Sequence, residues 1–343
     1  MRVFITGATG VIGRRVVPLL VQAGHEVTAI ARSEAKRAAI AKCGAAAVDV
    51  SLFDTDALRG AIAGHETVIN LATHMPASAT RMMLPWAWRE NDRVRRDGSA
   101  ALVDAARAVG VGRFIQESFA PVYEDGGDRW IDEQWPQRPV PYNRTVLDAE
   151  RSATRFGESG GVGIVLRFSA FYGADSRVLH DMIGVMRKGW APLPGKLDAF
   201  ISSISHDDAA SAAVAALHIA GGTYNVTDDE PLTRGEWMDT LAESLGLPHP
   251  KPLPGWMVRL GGSLMELLGR SERMSNAKFR AAAGWAPRWP SVREGFREVA
   301  ATVRDGVHAS SFEPCESSSP AGRDRLERSS HERSWPTGMT SSS

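Results

Sequence analysis

The sequence is poor in cysteine, in net charge and in long apolar runs. Of its 343 residues only Cys43 and Cys315 are cysteines, too few for a disulfide framework or a thiolate zinc site, and this fits a reducing compartment. Lysine plus arginine equals aspartate plus glutamate, 40 of each, so no overall charge attracts nucleic acid or an anionic membrane. No apolar run reaches the ~18 residues of a membrane span, and the N-terminus lacks the layout of a signal peptide. We expect a cytoplasmic protein without a metal site that binds neither nucleic acid nor membrane.

Lysine is also scarce. The chain has six lysines, and none lies between Lys42 and Lys188. A lysine ammonium is one of the groups that lower the pKa of a neighbouring tyrosine. A tyrosine within the lysine-free stretch therefore lacks that help from its own segment.

Strand and helix signals alternate from residue 1 to about residue 170. The runs RVFITG, HEVTAIA, ETVINLA and GRFIQES are strand-like, and helical patterns such as GRRVVPLLVQAG lie between them. This alternation indicates an α/β fold with a parallel sheet covered on both faces. In such a sheet a ligand binds at the carboxyl ends of the strands. After residue 170 the alternation is lost, although TRGEWMDTLAESLG predicts a helix capped by Thr233, with Glu236 three residues later.

The stretch FITGATGVIGRRV has three glycines spaced three apart, between a strand and a helix. Gly7 permits a tight turn, Gly10 lets a pyrophosphate approach the backbone, and Gly13 allows close helix–strand packing. The start of the helix offers free N–H groups and a partial positive charge to phosphates. We therefore predict a dinucleotide-binding loop whose contact residues are Gly7, Thr9, Gly10, Val11, Ile12 and Gly13.

The end of the second strand distinguishes the two nicotinamide cofactors. An acidic residue there would bind the ribose 2′-hydroxyl of NAD, but this chain has Ala31 followed by Arg32. An arginine suits the 2′-phosphate of NADP, so the sequence favours NADP over NAD, with a solvated loop residue as the alternative interpretation of Arg32.

Two further strand ends are predicted to contact the cofactor. Asp49 and Val50 follow the third strand and are expected to flank the adenine. Leu71, Ala72 and Thr73 end the fourth strand, beside the glycine loop. Ordinary packing at a strand end is the alternative for both segments.

Several motifs together are similar to one family. They are TGATGVIG at 6–13, VINLA at 68–72, GSAALVDAARAVGVGRFIQES at 98–118, VLRFSAFYG at 165–173 and YNVTDDEP at 224–231. In this order and at this spacing the chain resembles the extended short-chain dehydrogenase/reductase superfamily, in the branch of NAD-dependent epimerases and dehydratases. The resemblance covers about residues 1–300. It implies a Rossmann-type, doubly wound parallel sheet with a small C-terminal substrate domain, and a homodimer.

The resemblance also gives domain boundaries. The NAD(P)-binding Rossmann domain is expected at 1–173, with helix 206–220 returning to it. The substrate domain is expected at 174–205 and 221–306. Residues 307–343 are predicted to be a disordered tail, because their apolar residues are too sparse to form a core.

In this family catalysis rests on a serine or threonine, a tyrosine and a lysine. By position the tyrosine is Tyr142, the lysine position holds Val146, and the hydroxyl position holds Phe119 with Ser118 beside it. Tyr142 and Ser118 are therefore the predicted catalytic residues of a degenerate triad. Val146 lies on an apolar helical stripe, which indicates a packed position. Without a lysine, Tyr142 has a pKa near ~10 and is a donor rather than a base.

Other polar residues lie near the predicted cleft. The asparagine usual in this family falls at Arg95. The nearby arginines are interpreted as a solvated helix face, with the binding of an anionic substrate as the alternative; they are Arg81, Arg89, Arg93, Arg95 and Arg96. His74, Glu117 and Asp175 are further candidates for proton transfer, each with a structural role as the alternative.

Three functions fit these residues. The first is an NADP-dependent oxidoreductase that reduces a carbonyl of a small-molecule substrate, since hydride transfer needs chiefly a positioned nicotinamide and a polarised carbonyl. The second is a sugar-nucleotide epimerase or dehydratase, which the missing base disfavours. The third is a sensor or scaffold that binds NADP(H) without turnover, and the loss of the lysine favours it.

Overall fold

A parallel sheet of seven strands lies at the centre of the part of the chain that the computed structural model describes, residues 1–76, 79–82, 84–141, 143–251 and 262–304. The strands are, in chain order, Arg2–Thr6 (β1), Glu26–Ile30 (β2), Ala46–Val48 (β3), Thr67–Asn70 (β4), Arg113–Phe119 (β5), Trp130–Ile131 (β6), Val162–Phe168 (β7), Ala170–Tyr172 (β8), Phe200–Ile201 (β9), Ser203–Ser205 (β10), Gly222–Val226 (β11), Leu232–Thr233 (β12) and Arg273–Met274 (β13). The central sheet has the order β3-β2-β1-β4-β5-β7-β11, and all neighbouring pairs in it are parallel. The strand order reverses between β1 and β4, which opens a crevice at their carboxyl ends.

Helices cover both faces of this sheet. They are Gly13–Gln22 (α1), Glu34–Lys42 (α2), Thr55–Ile62 (α3), Ala79–Met82 (α4), Arg89–Arg93 (α5), Ser99–Ala108 (α6), Val146–Glu158 (α7), Arg177–Met186 (α8), His206–Ala215 (α9), Arg234–Leu245 (α10), Gly262–Gly269 (α11), Ala277–Ala283 (α12) and Val292–Arg304 (α13). A π-helical turn, Val94–Gly98, joins α5 to α6. The prediction of a Rossmann-type doubly wound sheet is confirmed.

Two apolar cores hold the helices to the sheet. Val17 of α1 and Ala213 of α9 pack in one core, and both are fully buried. Leu58 of α3, Leu102 of α6 and Phe156 of α7 pack in the other, on the opposite face. Burying one large aliphatic or aromatic side chain stabilises the fold by roughly 1.5–3 kcal/mol, so these faces orient the helices that carry the polar groups of the cleft.

The predicted domain boundary at residue 221 is wrong. Strand β11 pairs in register with β7, with Tyr224 opposite Leu166, so it is the edge strand of the central sheet. Because the alternation of strand and helix is lost after residue 170, the sequence alone places this strand in the substrate domain. Strand β11 reaches the central sheet because α9, which precedes it, packs on α1 and ends near the edge of the sheet.

The second lobe is built on α8, α10 and α13. Its core joins Ile183, Leu241 and Phe296, and the rings of Trp237 and Phe296 meet edge to face with centroids 4.9 Å apart. The predicted cap of α10 is confirmed, because the Thr233 side chain accepts from the Glu236 N–H and the Glu236 side chain accepts from the Thr233 N–H. The tail predicted at 307–343 lies outside the described residues. Within them, no helix is both long enough and apolar enough to cross a bilayer.

Glu272 lies directly before β13 and is half-buried, with its carboxyl Oε1 out of contact with solvent. Its backbone N–H donates to the Phe200 carbonyl at 2.9 Å, and within the described chain its Oε1 has no hydrogen-bond partner. Burial raises the pKa of Glu272 to about 8, although Arg270 and Arg234 act to lower it. The folded protein therefore binds the proton of this carboxyl more tightly than the unfolded chain does.

This raised pKa predicts a loss of stability between mildly acidic and neutral pH. The contribution of Glu272 is complete below its ordinary pKa of 4.5, falls by up to ~1.4 kcal/mol per pH unit as the pH rises, and is lost once the pH has passed about 8. Urea unfolding between pH 5 and pH 9 should therefore show a steeper decline in the wild type than in Glu272→Gln, and the difference should level off above about pH 8. The exposed Glu298→Gln of α13 is the matched control and should follow the wild type. Equal slopes in all three proteins would contradict a raised pKa of Glu272.

Candidate functional site

The glycine loop between β1 and α1 is built on backbone contacts that exclude a Cβ atom. Gly7 has a φ of +70°, and a Cβ there would overlap the carbonyl of Leu71 at the end of β4. A Cβ on Gly13 would overlap the Gly7 carbonyl and the Ala8 backbone. Gly10 is exposed, and its N–H donates to the Gly7 carbonyl at 2.9 Å. The loop therefore folds tightly against β4 and leaves an open surface above Gly10.

The start of α1 presents unused donors to that surface. In the described part of the chain, the backbone N–H groups of Val11, Ile12 and Gly13 donate to no protein acceptor. Free N–H groups and the positive end of a helix dipole bind phosphates. Val11 is 41% exposed and Thr9 is half-buried beside it. These residues fit the pyrophosphate of a dinucleotide, as the sequence predicts.

The other residues predicted to bind the cofactor lie around this loop. Leu71 is buried with its carbonyl against Gly7, Ala72 is half-buried and Thr73 is exposed. Arg32 is exposed at the end of β2, directly before Ser33, which caps α2.

The segment predicted beside the adenine has a partner of its own. Val50 is half-buried, and Asp49 is exposed and forms an ion pair with Arg37 of α2 at 3.0 Å. These roles in cofactor binding remain predictions.

A buried amide that sequence reasoning missed fixes the end of β4. Asn70 accepts from Thr6 Oγ1 of β1 at 2.5 Å, and its Nδ2 donates to Gln116 Oε1 of β5 at 2.9 Å and to Ser99 Oγ of α6 at 3.1 Å. One side chain thus ties together three strands and a helix at the carboxyl edge of the sheet. The only available signal was a polar residue at the end of an apolar strand.

Asp175 lies in a buried cluster of charged side chains rather than in an open cleft. Its side chain is fully buried and accepts from Arg14, from Arg15 at 2.8 Å and from His206 Nδ1 at 2.7 Å. Burial, together with the nearby charge of Arg15, lowers the pKa of His206 to about 3. The imidazole is neutral and donates its Nδ1–H to Asp175. This cluster connects α1 to α9 and to the loop after β8.

Ser118, on β5, belongs to a second buried network of hydrogen bonds. Its side chain is 1% exposed, and Oγ donates to Glu150 Oε1 at 2.5 Å. Glu150 also accepts from Arg167 Nε at 2.8 Å and Nη2 at 2.6 Å. Arg167 Nη1 donates to the hydroxyl of Tyr123 at 2.7 Å, which in turn donates to Asn225. The hydroxyl proton of Ser118 is thus committed to Glu150, and its predicted catalytic role remains a prediction.

Tyr142 lies outside the described residues, but its neighbours are held firmly. Asn143 Nδ2 donates to the Pro121 carbonyl at 2.6 Å, and Thr145 Oγ1 donates to Asp92 of α5 at 2.7 Å. Val146 is 1% exposed, so the predicted packed position is confirmed and the lysine position of the family is filled by an apolar contact.

One buried cation lies close to this site. Arg95, on the π-helical turn, has an Nη2 that lies 3.8 Å from Glu117 Oε1, and their side chains are 8% and 10% exposed. The interpretation of Arg95 as part of a solvated helix face is wrong. Its neighbours Arg93 and Arg96 do have exposed side chains.

The chain matches the sequence model of one protein family over most of its length. The sequence model described as the NAD dependent epimerase/dehydratase family matches residues 3–227. The chain belongs to this family. The predicted family membership is confirmed.

Two curated proteins similar to this chain are named as reductases. The chain is 34% identical over 309 residues to a 3-diazoavenalumate denitrifying reductase of a Streptomyces species, covering 86% of this chain and 99% of that protein. It is 27% identical over 320 residues to the 4-hydroxy-2-methyl-3-oxo-4-farnesyl-3,4-dihydroquinoline-1-oxide ketoreductase of Stigmatella aurantiaca, covering 84% and 92%. These relatives agree with the prediction of an oxidoreductase of the epimerase/dehydratase family.

Solved structures share the fold. A human epimerase family protein with NADPH superimposes with a TM-score of 0.71 at 21% identity, covering 88% of this chain and 99% of that one. The UDP-glucose 4-epimerase of Thermus thermophilus in complex with NAD gives 0.70 at 26% identity, covering 90% and 100%. The family and this fold support a nicotinamide dinucleotide as the cofactor.

The glycine contacts predict a loss of cofactor binding in Gly13→Ala. The added Cβ meets backbone atoms of Gly7 and Ala8, which move only if the loop moves. We expect NADPH affinity, measured by fluorescence titration, to fall at least about tenfold, or ~1.4 kcal/mol. Gly60→Ala in α3 is the control, because its Cβ has no atom within 4 Å. It should bind as the wild type does. Unchanged affinity in Gly13→Ala would remove the loop from the cofactor site.

The network behind β5 predicts a large cost for Glu150→Gln. Arg167, 2% exposed, would keep its charge without the carboxylate that compensates it, at a cost of roughly 3–5 kcal/mol in the free energy of unfolding. Replacing both partners, in Glu150→Gln with Arg167→Met, should cost less than the single change. Glu158→Gln at the exposed end of α7 is the control. A loss below about 1 kcal/mol in Glu150→Gln would show that the pair contributes little.

Proposed function

We propose that this protein is an NADPH-dependent reductase that acts on a carbonyl group of a small molecule. The observation that carries the proposal is the glycine loop, whose close backbone contacts and free N–H groups lie at the crevice between β1 and β4. The named reductases among its relatives support the reaction type.

Charge at the end of β2 supports NADP over NAD. Arg32 is exposed there, no carboxylate occupies the strand end, and Lys36 and Arg37 follow on the first turns of α2. The nearby Asp49 is paired with Arg37 at 3.0 Å, which reduces its repulsion of a phosphate. A guanidinium binds a 2′-phosphate through two donors at once.

The residues of the chain position the reaction rather than supply a strong base. A bound nicotinamide dinucleotide supplies hydride to the substrate carbon. Tyr142, the family's tyrosine, serves as the hydrogen-bond donor to the substrate oxygen, because Val146 gives it no ammonium to lower its pKa. Reduction is therefore easier to support than the alcohol oxidation that epimerisation or dehydration requires.

A second candidate is the reductive loss of a diazo group. The relative with 34% identity is named for such a substrate, and the lysine position is a buried Val146. Hydride addition to the terminal nitrogen of an arenediazonium ion gives a diazene, which loses N₂ and leaves a C–H bond. That sequence needs no proton donor at the step in which hydride is transferred, so it tolerates a degenerate triad.

Turnover distinguishes these two reactions from a sensor without activity. We expect oxidation of NADPH, followed by absorbance, with at least one of ethyl acetoacetate, an aryl ketone and an arenediazonium salt. With a ketone, Tyr142→Phe should lower kcat by about 100-fold, as loss of one oxyanion donor does.

Arg32→Ala should weaken NADPH binding but not NADH binding. If no acceptor is reduced while NADPH still binds, the sensor hypothesis gains. If Tyr142→Phe reacts as fast as the wild type, the tyrosine is not the donor.

The homodimer that the family implies stays a prediction. The exposed face shared by α6 and α7 carries an ion pair between Asp104 and Arg155 at 3.0 Å.

A further inference from the structure

Glu117 and Arg95 form a buried pair that the family's triad does not account for. Glu117 lies on β5, one residue beyond Gln116, the last β5 residue that pairs with β4. It therefore projects past the end of β4 at the carboxyl edge of the sheet. The same edge carries Leu71, which contacts the glycine loop. This is the edge at which a substrate of an open α/β sheet lies.

Two buried arginines near the carboxyl end of β5 differ in the number of hydrogen bonds that they donate. Arg167 donates through three nitrogens to Glu150 and Tyr123. Arg95 has only the 3.8 Å approach to Glu117, and it donates no hydrogen bond to any residue that the structure describes. The Glu117 carboxylate accepts none from them either. Both groups are about nine-tenths buried and keep free hydrogen-bonding capacity, whereas buried charged groups are normally fully bonded.

The net effect of its surroundings is to raise the pKa of Glu117. Burial raises the pKa of Glu117, Arg95 lowers it, and the Glu150 carboxylate raises it. The charge of Glu150 is largely compensated by Arg167 of β7, and β4 contributes no titratable side chain. A carboxylic acid at this place is a proton source, and Arg95 stabilises the carboxylate that remains after donation.

We propose that Glu117, positioned by Arg95, gives the proton that the substrate oxygen takes up during reduction. The proposal rests on the proposed carbonyl reduction. When hydride forms the new C–H bond at the carbonyl carbon, the π electron pair of C=O moves to oxygen. The O–H bond of Glu117 breaks, the new alcohol O–H forms, and the nicotinamide is left oxidised. Water then reprotonates the Glu117 carboxylate after the alcohol departs. The Arg95–Glu117 pair thus donates the proton that a tyrosine beside a lysine donates in typical members of the family.

The kinetic test uses the full chain, NADPH and ethyl acetoacetate. Glu117→Gln should lower kcat at least about 100-fold, as removal of a general acid does, while exposed Glu124→Gln should not. In the wild type kcat should fall as the pH rises through the pKa of Glu117, because only the protonated acid donates. Arg95→Met should move that fall to higher pH, since Arg95 lowers the pKa. Arg95→Lys should restore most of the wild-type profile, and exposed Arg96→Met should leave it unchanged.

A second readout needs no turnover. Because Glu272 also holds its proton to about pH 8, the Glu117 band is isolated by subtracting the infrared spectrum of cofactor-free Glu117→Gln from that of the wild type. The difference should contain a carboxylic-acid carbonyl band that is retained in Glu272→Gln, disappears on titration to higher pH, and persists to still higher pH in Arg95→Met. If Glu117→Gln does not fold, the Arg95→Met and Arg95→Lys spectra decide instead.

Three results would overturn the proposal. They are a Glu117→Gln enzyme within twofold of the wild-type rate, a pH profile that Arg95→Met does not move, and a Glu117 that is ionised at neutral pH. A wild type that reduces no carbonyl compound would instead remove the proposed function, and this inference with it. If the wild type reduces ethyl acetoacetate but the Glu117 and Arg95 variants behave as the wild type does, only this inference is removed.

Discussion

The contact of the glycine loop with β4 is the constraint on which the rest of the site depends. Because Gly7 and Gly13 have no Cβ, the start of α1 packs backbone against backbone beside Leu71. That contact fixes the direction of α1, and with it the side chains of its first turn. Arg14 and Arg15 then reach Asp175, which lies some 160 residues later in the chain. The start of α1, where the sequence predicts phosphate binding, and the junction between the two lobes are therefore set by the same packing.

Buried charge is organised by pairing arginines with carboxylates. At the lobe junction Asp175 receives two arginines and a neutral His206. Behind β5 Glu150 and Arg167 form a two-point ion pair that also fixes Ser118. Each pair is close enough for its attraction to compensate part of the cost of leaving water. Arg95 and Glu117 are the looser pair, and a loose pair at the open edge of a sheet is free to interact with a third group.

Local patterns predict much of this structure. The three glycines, the alternating strands, the cap at Thr233 and the packed Val146 each follow from residues close in sequence, and each is found. The pairing of Glu150 with Arg167 joins residues on a helix and a strand, and no spacing rule distinguishes it from a solvated face. The same holds for Asn70, whose partners come from β1, β5 and α6. Two wrong predictions have definite physical causes. Arg95 stands among arginines in the sequence, but it lies four residues after Asn91 and four before Ser99, both of them buried, so it shares their helical face. Strand β11 follows a long insertion, and its pairing with β7 is a long-range contact that depends on α9 packing against α1.

The replacement of lysine changes the direction of the chemistry as well as its components. A tyrosine whose pKa is lowered by an ammonium becomes a better base as the pH rises, so it serves alcohol oxidation and its reversal alike. A carboxylic acid whose pKa is raised by burial has the opposite tendency, because it donates a proton only while it is not ionised. Val146 removes the first possibility, and the role proposed for Glu117 beside Arg95 uses the second. A site of this kind is suited to adding hydride and a proton to an acceptor, and poorly suited to the reversible oxidation on which sugar epimerisation depends.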